Sequence, residues 1–109
     1  MPKKKVLITG GNGDIAKAIC NELLLANEYE VLAPGKDILD VTSTESIEKV
    51  VSTFYPDVLI NNAGYVVPKS IKECNLINTK KHIDINLSGL FFCTEISLKY
   101  NPNLQIINI

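Results

Sequence analysis

The sequence predicts an α/β fold in which a parallel sheet of about five strands is wrapped by right-handed crossovers. Three observations carry this reading. Val6-Leu7-Ile8 and Val58-Leu59-Ile60 are continuous apolar triplets, the pattern of strands buried on both faces. Segments with helical periodicity alternate with the strand-like runs. The first triplet also runs straight into Gly10-Gly11-Asn12-Gly13, a glycine turn where a strand meets a helix.

Taken in order, Val6–Ile8 is the first strand. From Asp14 to about Leu25, Ile15, Ala18, Ile19, Leu23 and Ala26 recur at helical spacing. Glu30–Ala33 is the second strand, ended by Pro34-Gly35, and Leu39–Val41 reads as a third, very short one. The link between these two is about six residues, below the dozen or more that a helical crossover needs. One helix is therefore expected to be missing or reduced to a turn. Thr42 or Ser43 caps the next helix, in which Ile47, Val50, Val51 and Phe54 share a face. Pro56-Asp57 introduces a fourth strand, Val58–Ile60, which enters Asn61-Asn62-Ala63-Gly64. A long helix is expected from near Thr79 to Tyr100, and a fifth strand from Gln105 to Ile109. No repeat, low-complexity tract or linker divides residues 1–109, so a single domain is expected.

Composition narrows the function classes. With 46% apolar and 21% charged residues, this is ordinary globular material. The net charge of -1 provides no field favouring nucleic acid or an anionic membrane. Lys3-Lys4-Lys5 reads as a solvated end rather than a binding patch. The apolar stretches fall well short of the ~20 residues of a membrane span. No secretory signal pattern is present, so a cytoplasmic location is expected. Cys20, Cys74 and Cys93 are odd in number and far apart, which suits reduced thiols, and no C-x-x-C pair occurs.

The glycine turn has a specific use. Gly10 permits a sharp bend, and Gly13 lets a pyrophosphate approach the backbone where a Cβ would otherwise stand. The first turn of the following helix offers unpaired N–H groups and a positive dipole end. Ala16 is small enough for helix and strand to pack closely. A purely structural strand–helix turn is the competing reading. Asp14 also stands against phosphate binding unless its carboxylate points outward.

Thr9-Gly10-x-x-Gly13-x-x-Ala16, Asp40-Val41, Asn61-Asn62-Ala63-Gly64 and Ile85-Asn86-Leu87-x-Gly89 together resemble the motifs of the short-chain dehydrogenase/reductase family, in order and approximate spacing. The resemblance covers essentially the whole chain. The glycine spacing is similar to the extended branch of the family, and the other motifs to the short branch. The resemblance implies a Rossmann-like, doubly wound sheet of which this chain is the first half, C-terminally truncated. It implies an NAD(P)-dependent oxidoreductase that moves a hydride between nicotinamide and a carbonyl or alcohol. The alternative is a stand-alone NAD(P)-binding module without catalysis. The family's serine, and its Tyr-x-x-x-Lys pair, are expected beyond Ile109, so catalysis by this chain alone stays open.

The resemblance also implies roles by position. Gly10, Gly11, Asn12, Gly13, Asp14 and Ile15 would hold the pyrophosphate. Asp40 would accept a hydrogen bond from the adenine amino group, with the Val41 N–H beside it. Asn61, Asn62, Ala63 and Gly64 would line the adenosine ribose and the floor of the site. Asn86 would bend the long helix and hold a water in the proton relay. Two local alternatives remain: Asp40 as a cap for the next helix, and Asn86 as a plain polar helix residue.

Cofactor choice is read at the end of the second strand, where an acid binds a ribose 2′-OH and a basic residue accommodates a 2′-phosphate. Ala33-Pro34-Gly35-Lys36-Asp37 offers one candidate of each kind. Lys36 comes first and favours NADP, while Asp37 keeps NAD open. Tyr65-Val66-Val67-Pro68-Lys69 matches Tyr-x-x-x-Lys by spacing alone. That spacing works only on a helix, and Pro68 biases Val67 away from helical angles. Tyr65 is expected instead in the wall of the cofactor cleft. Finally, Ile83, Ile85, Leu87, Leu90, Phe91, Phe92, Cys93, Ile96 and Leu98 leave few polar positions on the long helix. Such a helix is expected to be buried on most sides, one face on the sheet and the other on a partner. In the family it resembles, that partner is commonly the same helix of another subunit, which implies a homo-oligomer through residues 80–100. Later helices of its own chain are the competing cover.

Overall fold

The computed structural model describes residues 2–109. Its strands are β1 (Lys4–Ile8), β2 (Tyr29–Leu32), β3 (Val58–Asn61) and β4 (Gln105–Asn108). They form one parallel sheet in the order β2-β1-β3-β4. Val6 aligns with Val31 on one side and Val58 on the other, and Ile60 aligns with Ile107. The chain therefore leaves β1 first towards β2 and later crosses to β3. The resulting switch point lies between β1 and β3, where open α/β sheets form a crevice at their carboxyl ends.

Helices cover both faces, which explains the continuous apolar strands. Val6, Ile8, Val58 and Ile60 pack with Ala16 of α1 (Asp14–Leu25). Leu7 and Leu59 point the other way, towards Ile47, Val50 and Val51 of α2 (Thr44–Phe54). Cys93 and Ile96 of α4 (Gly89–Tyr100) join this second cluster. Burial pushes the Cys93 thiol up to about 12, so it remains protonated at neutral pH.

Each helix ends where its sequence provides a stop. Asn27, at φ 54°, takes the left-handed conformation just past α1, which asparagine tolerates better than most residues. Ser43 rather than Thr42 caps α2, accepting from the Ser46 N–H. Tyr55 (φ 52°) closes α2, and Pro56 prevents its continuation. Asn75 opens α3 (Leu76–Ile83) with a capping box shared with Asn78.

Two expectations are corrected. Leu39–Val41 forms no strand, so the sheet has four strands rather than about five. The reason is local: the Asp40 N–H donates to Ser46 Oγ, and the Asp40 carbonyl accepts from the Ser43 N–H. Backbone groups held in turns cannot also form a ladder. Leu39 and Val41 nonetheless enter the core, at 2% and 7% exposure. The long helix is also interrupted, because a π-helical turn, Asp84–Ser88, joins α3 to α4. One face covers the sheet, and the face for which a partner is expected lies open in the single chain. Gly89, Cys93, Ile96 and Ser97 face inward, while Ile83, Leu87 and Phe91 are each about half exposed.

No described helix is long and apolar enough to cross a membrane. Replacing Leu59, which is wholly buried between the two helical layers, with Ala should cost about 2–5 kcal/mol in urea unfolding. Leu25→Ala, at a position 79% exposed, should stay within about 0.5 kcal/mol. Similar losses for the two would contradict this core.

Candidate functional site

The turn after β1 is built by close main-chain packing. Gly10 has φ 67°, and a Cβ there would lie 2.8 Å from the Ala63 Cα. At Gly11 a Cβ would lie 1.9 Å from the Ala33 carbonyl oxygen, so no side chain fits. The Gly11 N–H donates to the Pro34 carbonyl at 2.9 Å, fixing the turn to the end of β2. Gly13 is different: a Cβ would meet only the Gly10 oxygen, at an ordinary 3.4 Å. The protein itself does not require glycine there. What Gly13 leaves open is the space over the start of α1, where no side chain caps the first N–H groups.

Thr9 ties the turn to the other neighbour. Its buried hydroxyl accepts from the N–H groups of Asn62 and Ala63, both at 3.0 Å. The Asn62 amide donates back to the Thr9 carbonyl at 3.1 Å. Thr9 was quoted from sequence only as part of a motif, and Asn62 only within the run expected at the ribose, with no role given to its side chain. The signal available was a hydroxyl directly before the glycines and a paired asparagine after β3.

These contacts frame a groove of about 390 Å³, lined by Gly10, Asn12, Gly13, Asp14, Ile15, Gly35, Lys36, Asn62, Ala63 and Gly64. A hollow of about 130 Å³ adjoins it, sharing Gly10, Lys36, Ala63 and Gly64 and adding Leu39, Asp40, Val41 and Ile85. Both lie at the carboxyl ends of β1 and β3. Lys36 and Asp37 part company here. Lys36 lines both hollows, while Asp37 lines a separate groove beside α2 with Leu32, Lys49 and Phe54.

Asp40 occupies the inner hollow with one oxygen already engaged. Its Oδ1 accepts from the Thr42 hydroxyl at 2.7 Å and the Thr42 N–H at 2.9 Å. Thr42's hydroxyl, then its N–H, hold the carboxyl below its ordinary value; Lys36 adds to this, against a burial effect of opposite sign. The helix cap is Ser43, not Asp40.

Two residues sit apart from the groove. The Asn61 side chain turns into the protein, donating to Thr94 Oγ1 at 3.2 Å and Asn108 Oδ1 at 2.9 Å. It holds β3 to α4 and β4, because the side chain at the last β3 position follows the pleat rather than the cleft. Asn86 lies in the π-helical turn and clamps Tyr65 from both sides. Its Nδ2 donates to the Tyr65 carbonyl and its Oδ1 accepts from the Tyr65 N–H, each at 2.8 Å. Its Nδ2 also lies 3.5 Å from His82 Nδ1. π-turns of this kind recur at functional sites.

Tyr65 does not line the groove, contrary to expectation. Its ring packs edge-on to His82, with Lys81 Nζ 5.0 Å from the ring centre. Residues 62–68 have no regular structure, so Tyr65 and Lys69 share no helix face. Gly89 was quoted only as part of a motif, yet a Cβ there would lie 2.7 Å from Val41 Cγ2. Its bareness lets the helix approach the Asp40–Val41 loop.

Thr9→Val should lower stability by about 1–3 kcal/mol, because it leaves two amide N–H groups without an acceptor. Thr9→Ser should retain most of it, as urea unfolding would show. Asp40→Asn should be less stable than the parent at neutral pH. The folded carboxyl lies below its ordinary value, so its contribution is complete above that value and disappears as pH falls through the lower one. The gap should therefore close below about pH 4. A gap that is constant with pH would exclude the charge-assisted contact.

Residues 4–86 match the family model described as the RmlD substrate binding domain. A 3-oxoacyl-(acyl-carrier-protein) reductase of Aquifex aeolicus is 36% identical over 99 residues, covering 86% of this chain and 39% of that protein. The chain thus spans about two fifths of that relative's length. The structure of a Bacillus anthracis dTDP-4-dehydrorhamnose reductase in complex with NADP aligns with a TM-score of 0.80 at 27% identity, over 97% of this chain and 35% of that one. ElxO with NADP bound aligns with a TM-score of 0.82 at 31% identity, over 98% of this chain and 55% of that one.

Proposed function

Because this chain belongs to the short-chain dehydrogenase/reductase family, we propose that it is the NADP-holding part of an oxidoreductase acting on a carbonyl or alcohol. One observation carries the reading. The groove sets the uncapped start of α1 beside a glycine turn, with Lys36 on its β2 side. A diphosphate suits that arrangement, since the space over Gly13 is left free and the N–H groups there want an acceptor.

When bound, the nicotinamide would supply or accept the hydride. The chain's own part is to bind and orient. Gly10 to Ile15 would hold the pyrophosphate through the turn and the helix start. Asp40 Oδ2, not engaged by Thr42, would accept from the adenine amino group beside Val41. Ala63 and Gly64 would form the floor, while Asn61 contributes by fixing the end of β3. Lys36 would face the 2′-phosphate, because it, and not Asp37, lines the groove. Asn86 keeps one Oδ1 lone pair beyond its clamp on Tyr65, enough to hold a relay water. The matched reductases act on 3-oxoacyl and dehydro-sugar compounds, both carbonyl-bearing, which favours carbonyl reduction. Ile83, Leu87, Phe91 and Leu98 form an exposed apolar strip that supports pairing with a second copy through residues 80–100.

Lys36→Ala should weaken NADPH binding about tenfold or more, the scale of a lost hydrogen bond to a charged group. NADH binding should change by about twofold at most, since a neutral 2′-OH gains little from the ammonium. Isothermal titration calorimetry with both cofactors checks this; equal losses would remove Lys36 from the 2′ subsite.

A further inference from the structure

α3 turns polar side chains towards the protein and apolar ones away from it. The Asn78 amide reaches the Tyr65 hydroxyl at 3.5 Å, and the His82 ring packs edge-on to the Tyr65 ring, centres 5.0 Å apart. At the start of the helix Leu76 is 87% and Ile77 75% exposed, and none of its residues is buried. A helix on a globular surface ordinarily has the opposite arrangement. The loop before it repeats the pattern, with Val66 79% and Ile71 86% exposed. Local hydrogen bonds fix these positions. Asn86 clamps the backbone of Tyr65 next to Val66, and the Glu73 N–H closes the turn around Ile71 on the Ser70 carbonyl at 3.0 Å. Asn75 and Asn78 cap the helix just ahead of Leu76. The same segment is basic. Residues 66–81 carry Lys69, Lys72, Lys80 and Lys81 against one acid, Glu73, whereas the rest of the chain has seven lysines and eleven acids. Lys80 is paired with Asp84, Lys81 stands over the Tyr65 ring, and Lys69 and Lys72 lie exposed in the loop.

We propose that residues 66–81 form a docking surface for a membrane containing anionic phospholipid. Val66, Ile71, Leu76 and Ile77 enter the headgroup boundary, and the lysines meet the phosphates there. The overall charge of -1 does not attract such a surface; the local excess of lysines does. Lys80 and Lys81 each lie four residues beyond Leu76 and Ile77, so their stems extend over apolar surface and carry charge to the headgroups. Apolar side chains projecting from a loop and a helix start fit a deformable medium, whereas a folded partner must supply a matching pocket for each. A second copy suits this surface poorly, because a two-fold contact would set the same lysines against one another. Pairing through Ile83, Leu87 and Phe91 uses residues outside 66–81 and is compatible with docking. Gly64 lines the cofactor groove and Tyr65 follows it, so docking brings the floor of that groove close to the membrane.

The test is co-sedimentation of the 109-residue chain with phosphatidylcholine vesicles, with and without phosphatidylserine. Binding should require phosphatidylserine and decline as salt is raised. Lys69→Gln combined with Lys72→Gln should lower the partition coefficient by about fivefold per lysine. Leu76→Ser combined with Ile77→Ser should lower it about tenfold or more. Lys3→Gln combined with Lys4→Gln, at the basic N-terminal end, should leave it unchanged. All of these side chains are exposed, so the variants should unfold at the same urea concentration as the parent. Equal retention on both kinds of vesicle would overturn the proposal, as would retention that survives the Lys69 and Lys72 or the Leu76 and Ile77 changes. No retention on either vesicle would also overturn it. Capture on poly-glutamate beads, lost in the same variants, would then assign the surface to an acidic protein partner.

Discussion

Where β1 ends, main chain touches main chain on both sides: Gly10 lies against Ala63, and Gly11 against Ala33. Everything at the carboxyl edge of the sheet is placed from these two contacts. They bring the loops after β2 and β3 within reach of one another across β1. Thr9 secures one side through the N–H groups of Asn62 and Ala63, and Gly11 secures the other through Pro34. A single Cβ at Gly11 would overlap a backbone carbonyl, which cannot move aside as a flexible side chain can. The groove is thus a consequence of backbone packing, secured by the side chains of Thr9 and Asn62.

The charges around that frame are sorted by small geometric differences. Lys36 and Asp37 are adjacent in sequence, yet the turn from Gly35 to Leu39 sends them to different grooves. Asp40 is held ionised by Thr42 and Lys36, one of its oxygens being committed to its own loop. Asp14 lines the groove from the first turn of α1, where a carboxylate favours the helix dipole while opposing any bound anion. The groove is therefore lined by backbone donors and one cation, Lys36, together with Asp14, while Asp40 lies in the adjoining hollow.

The other side of the cleft depends on the interrupted helix. A regular helix over residues 76–100 would have one continuous phase; the π-helical turn at Asp84–Ser88 adds a residue and shifts it. Asn86, within that turn, can then reach the backbone of Tyr65 with both ends of its amide. Gly89, directly after the turn, comes close to Val41. One irregularity thus docks the helix on two loops that both border the inner hollow.

Much of this was legible in the sequence. The apolar triplets specified strands buried on both faces, the helical periods placed α1 and α2, and the glycine turn with its companion motifs pointed to a Rossmann-like dinucleotide fold. These are local or periodic signals, and burial on a sheet turns them directly into structure. Leu39–Val41 was misread because an apolar, β-prone triplet looks like a strand until the Asp40–Ser46 and Asp40–Ser43 bonds claim its backbone. Other features depend on contacts between distant segments and so only the tertiary structure decided them. The division of Lys36 from Asp37, the inward turn of Asn61 and the clamp of Asn86 on Tyr65 are all of this kind. Each depends on where distant segments pack against one another, which spacing along the chain does not specify and which the strand order β2-β1-β3-β4 helps to set.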